Sequence, residues 1–195
     1  MKSYIDRAKF GFSNYFLFSL LAALFFVDLV FIAIYNWCVT SKELFGDILS
    51  KDVAALANVV ERIDKECRIL SFDNQKNIIN FLTVTSFVSS EVGSLNLEYP
   101  KKWQGPYVDD NPTYQEKEYM VVRTKHGYFL TPGEGVVLPN GKAIGKDIVL
   151  DEDADIAAMA KEGGPLWFED KALAVKLNIS TSTRDVFNQL PMERI

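Results

Sequence analysis

The chain has 195 residues, with 26 acidic against 21 basic side chains for a net charge of −5. That balance provides no basic patch of the kind nucleic-acid binding requires, so no nucleic-acid partner is expected. Two cysteines are too few for a disulfide framework, and no CxxC, HExxH or GxxxxGK(S/T) spacing occurs, so no enzymatic function is expected either.

The first eleven residues, MKSYIDRAKFG, carry Lys2, Arg7 and Lys9 against Asp6. Three cations and one acid leave this end at +2, so the rest of the chain must carry −7 to reach the total of −5. The excess of Lys and Arg keeps the N-terminus cytoplasmic and sends the acidic remainder across the membrane.

From Tyr15 to Trp37 the sequence YFLFSLLAALFFVDLVFIAIYNW is almost continuous hydrocarbon. About 23 residues at 1.5 Å per residue cover a bilayer core of roughly 30 Å. A secretory signal peptide would have a shorter apolar region and would end in small residues at a cleavage site. Here the run ends in Tyr35, Asn36 and Trp37, with Tyr15 at its other edge, an interfacial belt that favours a retained span.

Asp28 is the span's one charge, costing on the order of 3 kcal/mol at the membrane centre, where lipid offers it no partner. Either the acid is tolerated by protonation or snorkelling, or it meets a neighbouring helix. Its mid-span position favours the second reading. Cys38, just beyond, and Cys67 read as apolar fillers; on a single helix they stand about 43 Å apart and cannot pair.

No proline precedes Pro100, so nothing obliges the helix to stop at the lipid surface. Leu49, Val53, Leu56, Val60, Ile63, Cys67 and Leu70 follow in alternating steps of four and three, an amphipathic stalk with a 3.5-residue period. Its apolar seam needs cover, from the chain's own sheet or from a second copy; the strands downstream favour the sheet. A second helical stretch over Asn74 to Val92 is expected, although its β-branched and aromatic residues suit either state.

Gly93, Ser94, Asn96, Pro100, Gly105, Pro106, Asn111 and Pro112 then punctuate a connecting segment. Strands are predicted at EYMVVRT and YFLT, joined by a turn at Lys125, His126 and Gly127, with the lone histidine as a turn residue. Asn140-Gly141 between GVVLP and KAIG is the strongest hairpin signal, and Asp147 to Leu150 could add a short strand. Asp151, Glu152, Asp153 and Asp155 form an acidic run, either a solvated loop or oxygen ligands for a hard cation such as calcium. Asp155 to Lys161 suggests a short helix broken at Gly163, Gly164 and Pro165, ALAVKLNIS alternates like an edge strand or an amphipathic piece, and residues from Thr181 onward suggest a surface helix or a loose tail.

Four features in this order resemble the type IV pilin superfamily, in particular the pseudopilins of type II secretion. A short basic leader ends in Gly11 and Phe12, similar to the pair at which prepilin peptidase cuts. A hydrophobic helix follows and runs into an amphipathic stalk. The segment KKWQGPYVDD, Lys101 to Asp110, resembles the WxGPY-type loop of that family, and EDADI, Glu152 to Ile156, resembles its acidic calcium motif. The resemblance implies processing between Gly11 and Phe12, calcium ligands at Asp153 and Asp155, and a subunit that packs its membrane helix against copies of itself or other pilin-like subunits, together with an inner-membrane assembly complex. The family usually has glutamate at the fifth place after the cut, where this chain has Phe16; the glycine-rich loop before the acidic motif is replaced by NGKAIGKDIVL.

The combined expectation is an α+β chain: a leader over 1–11, a transmembrane helix over 12–40 in the lipid bilayer, a helical stalk over 41–92 packed against a small antiparallel β-sheet in a head over 93–156, and a C-terminal extension over 157–195. It is a single-pass protein of the bacterial inner membrane with its head in the periplasm or at the cell surface, working as a pilus or pseudopilus subunit. The alternative is an accessory or sensory subunit of a cell-envelope complex.

Overall fold

A computed structural model describes the backbone of residues 2–180 and the side chains of residues 15–180. The segment from Thr181 onward, read as a helix or tail, lies outside the described residues. The chain divides into two compact units, residues 1–43 and 44–195. Its class is α+β, with one long apolar N-terminal helix and several small antiparallel sheets.

Helix α1 runs Lys2–Cys67. Within the second unit it presents the expected stripe: Leu49, Val53, Leu56, Val60, Ile63 and Cys67 are all buried, together with Ala57. They share one core with residues of the chain's own strands, so the intramolecular partner covers the seam. Leu70 breaks the pattern. It lies past the helix end and is 36% exposed.

The helix stops because Arg68 takes a left-handed conformation, φ 56°, while its N–H still bonds to Asp64 O at 2.8 Å. The Asp64 carboxylate accepts the next amide, Ile69 N, at 2.9 Å. A left-handed residue after the last turn, with one bond back across that turn, is a standard way to end a helix, although glycine usually supplies it. Arginine carries no such signal in the sequence.

Past this stop the stalk expected over 41–92 is corrected. Strand β1 (Ile69–Phe72) follows the stop, the second helical stretch expected over Asn74 to Val92 is replaced by β2 (Lys76–Ile78), a 3-10 turn at Asn80–Thr83 and β3 (Glu91–Val92), and β4 (Leu95–Leu97) comes next. The β-branched pair Ile78 and Ile79 favours the extended state locally. Burying Ile79, Phe81 and Leu82 completely then decides it.

A second 3-10 turn at Pro100–Lys102 leads to β5 (Thr113–Tyr114), β6 (Lys117–Glu118), β7 (Met120–Thr124) and β8 (Gly127–Thr131). Short elements follow: α2 (Ile156–Met159), β9 (Trp167–Phe168), β10 (Lys171–Ala172) and β11 (Val175–Lys176). The main sheet has the order β11-β8-β7-β2, all neighbours antiparallel, beside a three-stranded β1-β4-β3 sheet and the hairpins β5-β6 and β9-β10. Val121, Val122, Phe129 and Leu130 are each almost fully buried, so the centre of the main sheet is covered on both faces.

The β7-β8 hairpin turns at Lys125 and His126, with Gly127, predicted in the turn, already opening β8, and β11 takes the sheet edge, one of the two readings of ALAVKLNIS. Asn140-Gly141 also turns, with Gly141 N donating to Leu138 O at 2.8 Å, but only the single bridge Val137–Ala143 forms. Asp147 to Leu150 makes no strand; Ile148 instead contributes one parallel bridge to Ile144. The extension past Ile156 enters the same core through Leu166, Leu173, Leu177 and Ile179.

Candidate membrane span and head surfaces

The span is defined by what surrounds it. Every side chain from Tyr15 to Thr40 is exposed, and the most apolar window of the described helix has a mean hydropathy of 2.7 with none of it buried. A contiguous apolar surface of this kind demands a cover other than water. The helix is long and apolar enough to cross a membrane. Ser19 keeps its hydroxyl satisfied within the helix by donating to Phe16 O at 2.9 Å.

Asp28 is exposed and has no hydrogen-bond or ion-pair partner among the described residues. Gly11 and Phe12 fall within the backbone of α1, outside the residues whose side chains are described. Cys38 is exposed and Cys67 buried, both as free thiols on one helix. Burial, helped by the neighbouring Glu66 carboxylate, pushes the Cys67 thiol up from its ordinary value. A thiol held protonated in this way is a packing group.

The acidic run is dispersed among separate tasks. Asp153 pairs with Lys125 across the β7-β8 turn, whose backbone amide also donates to Glu152 O at 2.9 Å. Its carboxylate raises the Lys125 ammonium above its usual range. Asp155 caps α2, accepting from Ala158 N at 2.9 Å, and Asp151 accepts from Asp153 N at 3.2 Å. Among the described residues no group of three or more His, Cys, Asp and Glu side chains is arranged to hold a metal ion. His126 is exposed at the hairpin turn.

The Trp103-Gln104-Gly105-Pro106-Tyr107 loop is better assembled. Trp103 Nε1 donates to Val84 O at 2.9 Å, and the Trp103 ring stands edge-on to Phe87 at 5.3 Å and to Tyr107 at 4.9 Å. Arg62 of α1 lies 4.9 Å from the centre of the Tyr107 ring, and the Tyr107 hydroxyl donates to Glu66 at 3.4 Å. Burial keeps that phenol above its normal value, so it stays a donor at neutral pH. Gly105 is required because a Cβ there would collide with both Trp103 Nε1 and Val84 O. The loop is thereby fastened to the last turns of α1.

Comparison with protein-family models, curated proteins and solved structures gives no match. The chain's own geometry therefore has to carry the functional reading.

Three polar contacts escaped the sequence. Tyr119, buried, donates to Asp52 of α1 at 2.9 Å, and burial with the facing carboxylate drives its phenol far above the ordinary value. Asp64, buried, accepts from both the amide and the hydroxyl of Ser180, at 2.8 and 2.9 Å. Lys171 of β10 reaches Asp47 at 3.0 Å, where Phe168 fits against Gly46, a Cβ on which would stand only 2.7 Å from the ring. Only one clue was legible: polar residues at positions 47, 52, 61 and 64 lie among the stripe's apolar residues. Their partners, such as Lys171 for Asp47 and Asn178 for Glu61, lie more than sixty and as many as 124 residues away, and no local pattern names them.

Proposed function

We propose that this chain is a membrane-anchored, pilin-like structural subunit that assembles through its N-terminal helix into a pilus or a type II secretion pseudopilus. The observation that carries the reading is the span from Tyr15 to Thr40, apolar, uncovered, and interrupted at its middle by Asp28, which has no partner among the described residues. Association of helices in lipid depends on close packing and on polar groups finding each other, so an unpaired acid at that depth favours a helix neighbour. The anchored Trp103–Tyr107 loop supports the same reading, as it ties the head to α1 with the segment that resembles the WxGPY-type loop of that family. On this reading the protein sits in the bacterial inner membrane with the basic end cytoplasmic.

A photo-crosslinker at Phe25 or Leu29 in native membranes tests the proposal. The expected result is a ladder of crosslinked copies or of crosslinks to other pilin-like subunits, lost in Asp28→Leu, and a mature N-terminus at Phe12 by mass spectrometry. Absence of such crosslinks together with an intact leader would reject it. Phe16 in place of the usual glutamate favours a second reading, a fixed accessory or sensory subunit of an envelope complex. Crosslinks to one unrelated membrane protein, with no ladder, would select that one.

A further inference from the structure

The free edge of the main sheet has the features of a strand-docking site. Two bonds bracket the pairing of β2 with β7: Arg123 N to Gln75 O at 2.8 Å and Ile79 N to Tyr119 O at 3.3 Å, with Asn77 opposite Val121 between them. Bonded and non-bonded pairs alternate along an antiparallel ladder. The odd-numbered residues therefore face β7, and the N–H and C=O of Lys76 and Ile78 face outward. β2 is the last strand of its sheet, and no partner for these groups exists among the described residues.

Two cavities meet at the same pair of residues. The larger, about 600 Å³, has Ile78 and Met120 among its lining, beside the β5-β6 hairpin and Gly133. The hairpin wall is held in place at some conformational cost. Gln115 and Glu116 are both left-handed, φ 51° and 61°, a state that non-glycine residues avoid. Gln115 is retained there by a two-pronged bond to the Val137 backbone, donating to its oxygen at 2.8 Å and accepting from its nitrogen at 2.9 Å. The smaller cavity, about 310 Å³, has the polar side chains of Asn74, Asn80 and Ser94 among its lining residues. The Ser94 hydroxyl is buried there without a hydrogen-bond partner among the described residues.

We propose that β2 accepts an additional strand: an extended, basic segment of another polypeptide that bonds to the outward backbone groups of Lys76 and Ile78. Successive side chains of a strand point to opposite faces. The incoming segment would thus send an apolar side chain into the larger cavity and a small polar one towards Ser94. Backbone bonds supply affinity in this mode and alternate pockets supply selectivity. The basic character follows from charge: Asp73, Glu116, Glu118 and Glu134 line the two cavities against Lys76 and Lys117, and Lys76 is already paired with Glu134.

The test uses the full chain in detergent and a fluorescein-labelled peptide, Lys-Val-Ser-Val-Ser-Val-Lys, followed by anisotropy. Saturable binding is expected, weakened at least tenfold when N-methyl groups are placed on one alternate set of amides and unchanged when they are placed on the other set. Ile78→Pro removes an outward N–H and no bond to β7, so it is expected to weaken binding at least tenfold with the head's melting temperature retained, while Ile78→Ala, which loses the side chain but keeps the N–H, has a smaller effect. Exchanging the terminal lysines for glutamates is expected to abolish binding. Equal binding by both N-methylated forms, or no saturable binding, would overturn the proposal even if Ile78→Pro fails to fold. Self-association that Ile78→Pro abolishes, without peptide binding, would assign the edge to a second copy and equally overturn it.

Discussion

Val30 and Val60 occupy the same helix, are the same residue, and live under opposite conditions. Val30 is 57% exposed and Val60 0%. From Tyr15 to Val39 hydrophobic residues surround almost the whole circumference of α1 and none of them is covered by the chain itself, which makes this stretch long and apolar enough to cross a membrane. In the second unit apolar residues keep to one stripe, and the chain supplies its own cover. Helical propensity cannot distinguish the two regions; the angular distribution of hydrocarbon does.

An aspartate placed in each region is expected to break this comparison most sharply. Val60→Asp buries an uncompensated carboxylate at a cost of roughly 4 kcal/mol or more, and the head should lose its cooperative thermal transition by circular dichroism. Val30→Asp should leave that transition intact and instead add about 3 kcal/mol to the cost of insertion, read as increased extraction by alkaline carbonate. A head that melts normally in Val60→Asp would mean that the stripe is not its core.

Ile63→Ala deletes side-chain volume from a site with no exposure and should cost about 3 kcal/mol, visible as a lower denaturant midpoint at unchanged slope. Leu29→Ala, in the span, should leave the midpoint where it is. Gly105→Ala tests the loop on α1: the added methyl must displace Trp103 from Val84 O, which should cost about 2 kcal/mol and red-shift tryptophan emission.

The Tyr119–Asp52 contact sharpens the comparison through pH. The folded phenol titrates well above the unfolded value of about 10, so its contribution is complete below that pH and declines as pH rises beyond it. Head stability should therefore fall in strongly alkaline solution, and Tyr119→Phe, less stable at neutral pH, should show a shallower fall. Smallest of all is Lys171→Ala. The Lys171 hydrogen bond holds the Asp47 carboxyl below its usual value, so the pair helps above the ordinary carboxylate range and ceases to help as pH drops through the folded value. Both side chains are solvated, and the midpoint shift should be barely measurable and absent in high salt.

Composition and order alone determined the apolar span, the buried stripe from Leu49 to Cys67, the β7-β8 hairpin and the short helix after Asp155, because each rests on a periodicity or a turn residue within a few positions. Tertiary structure decided the rest. Arg68 ends α1 in a left-handed conformation that no glycine announces, and full burial of Ile79, Phe81 and Leu82 draws a helix-compatible segment into strands and turns. Asp153 and Asp155, two positions apart in an acidic run, take separate partners in Lys125 and the Ala158 amide of α2. The open edge of β2, with its two cavities, exists only because residues 76–78, 93–94 and 113–134 converge in space. Local patterns record what one face of an element must touch; which distant residue touches it is set by packing the entire chain at once.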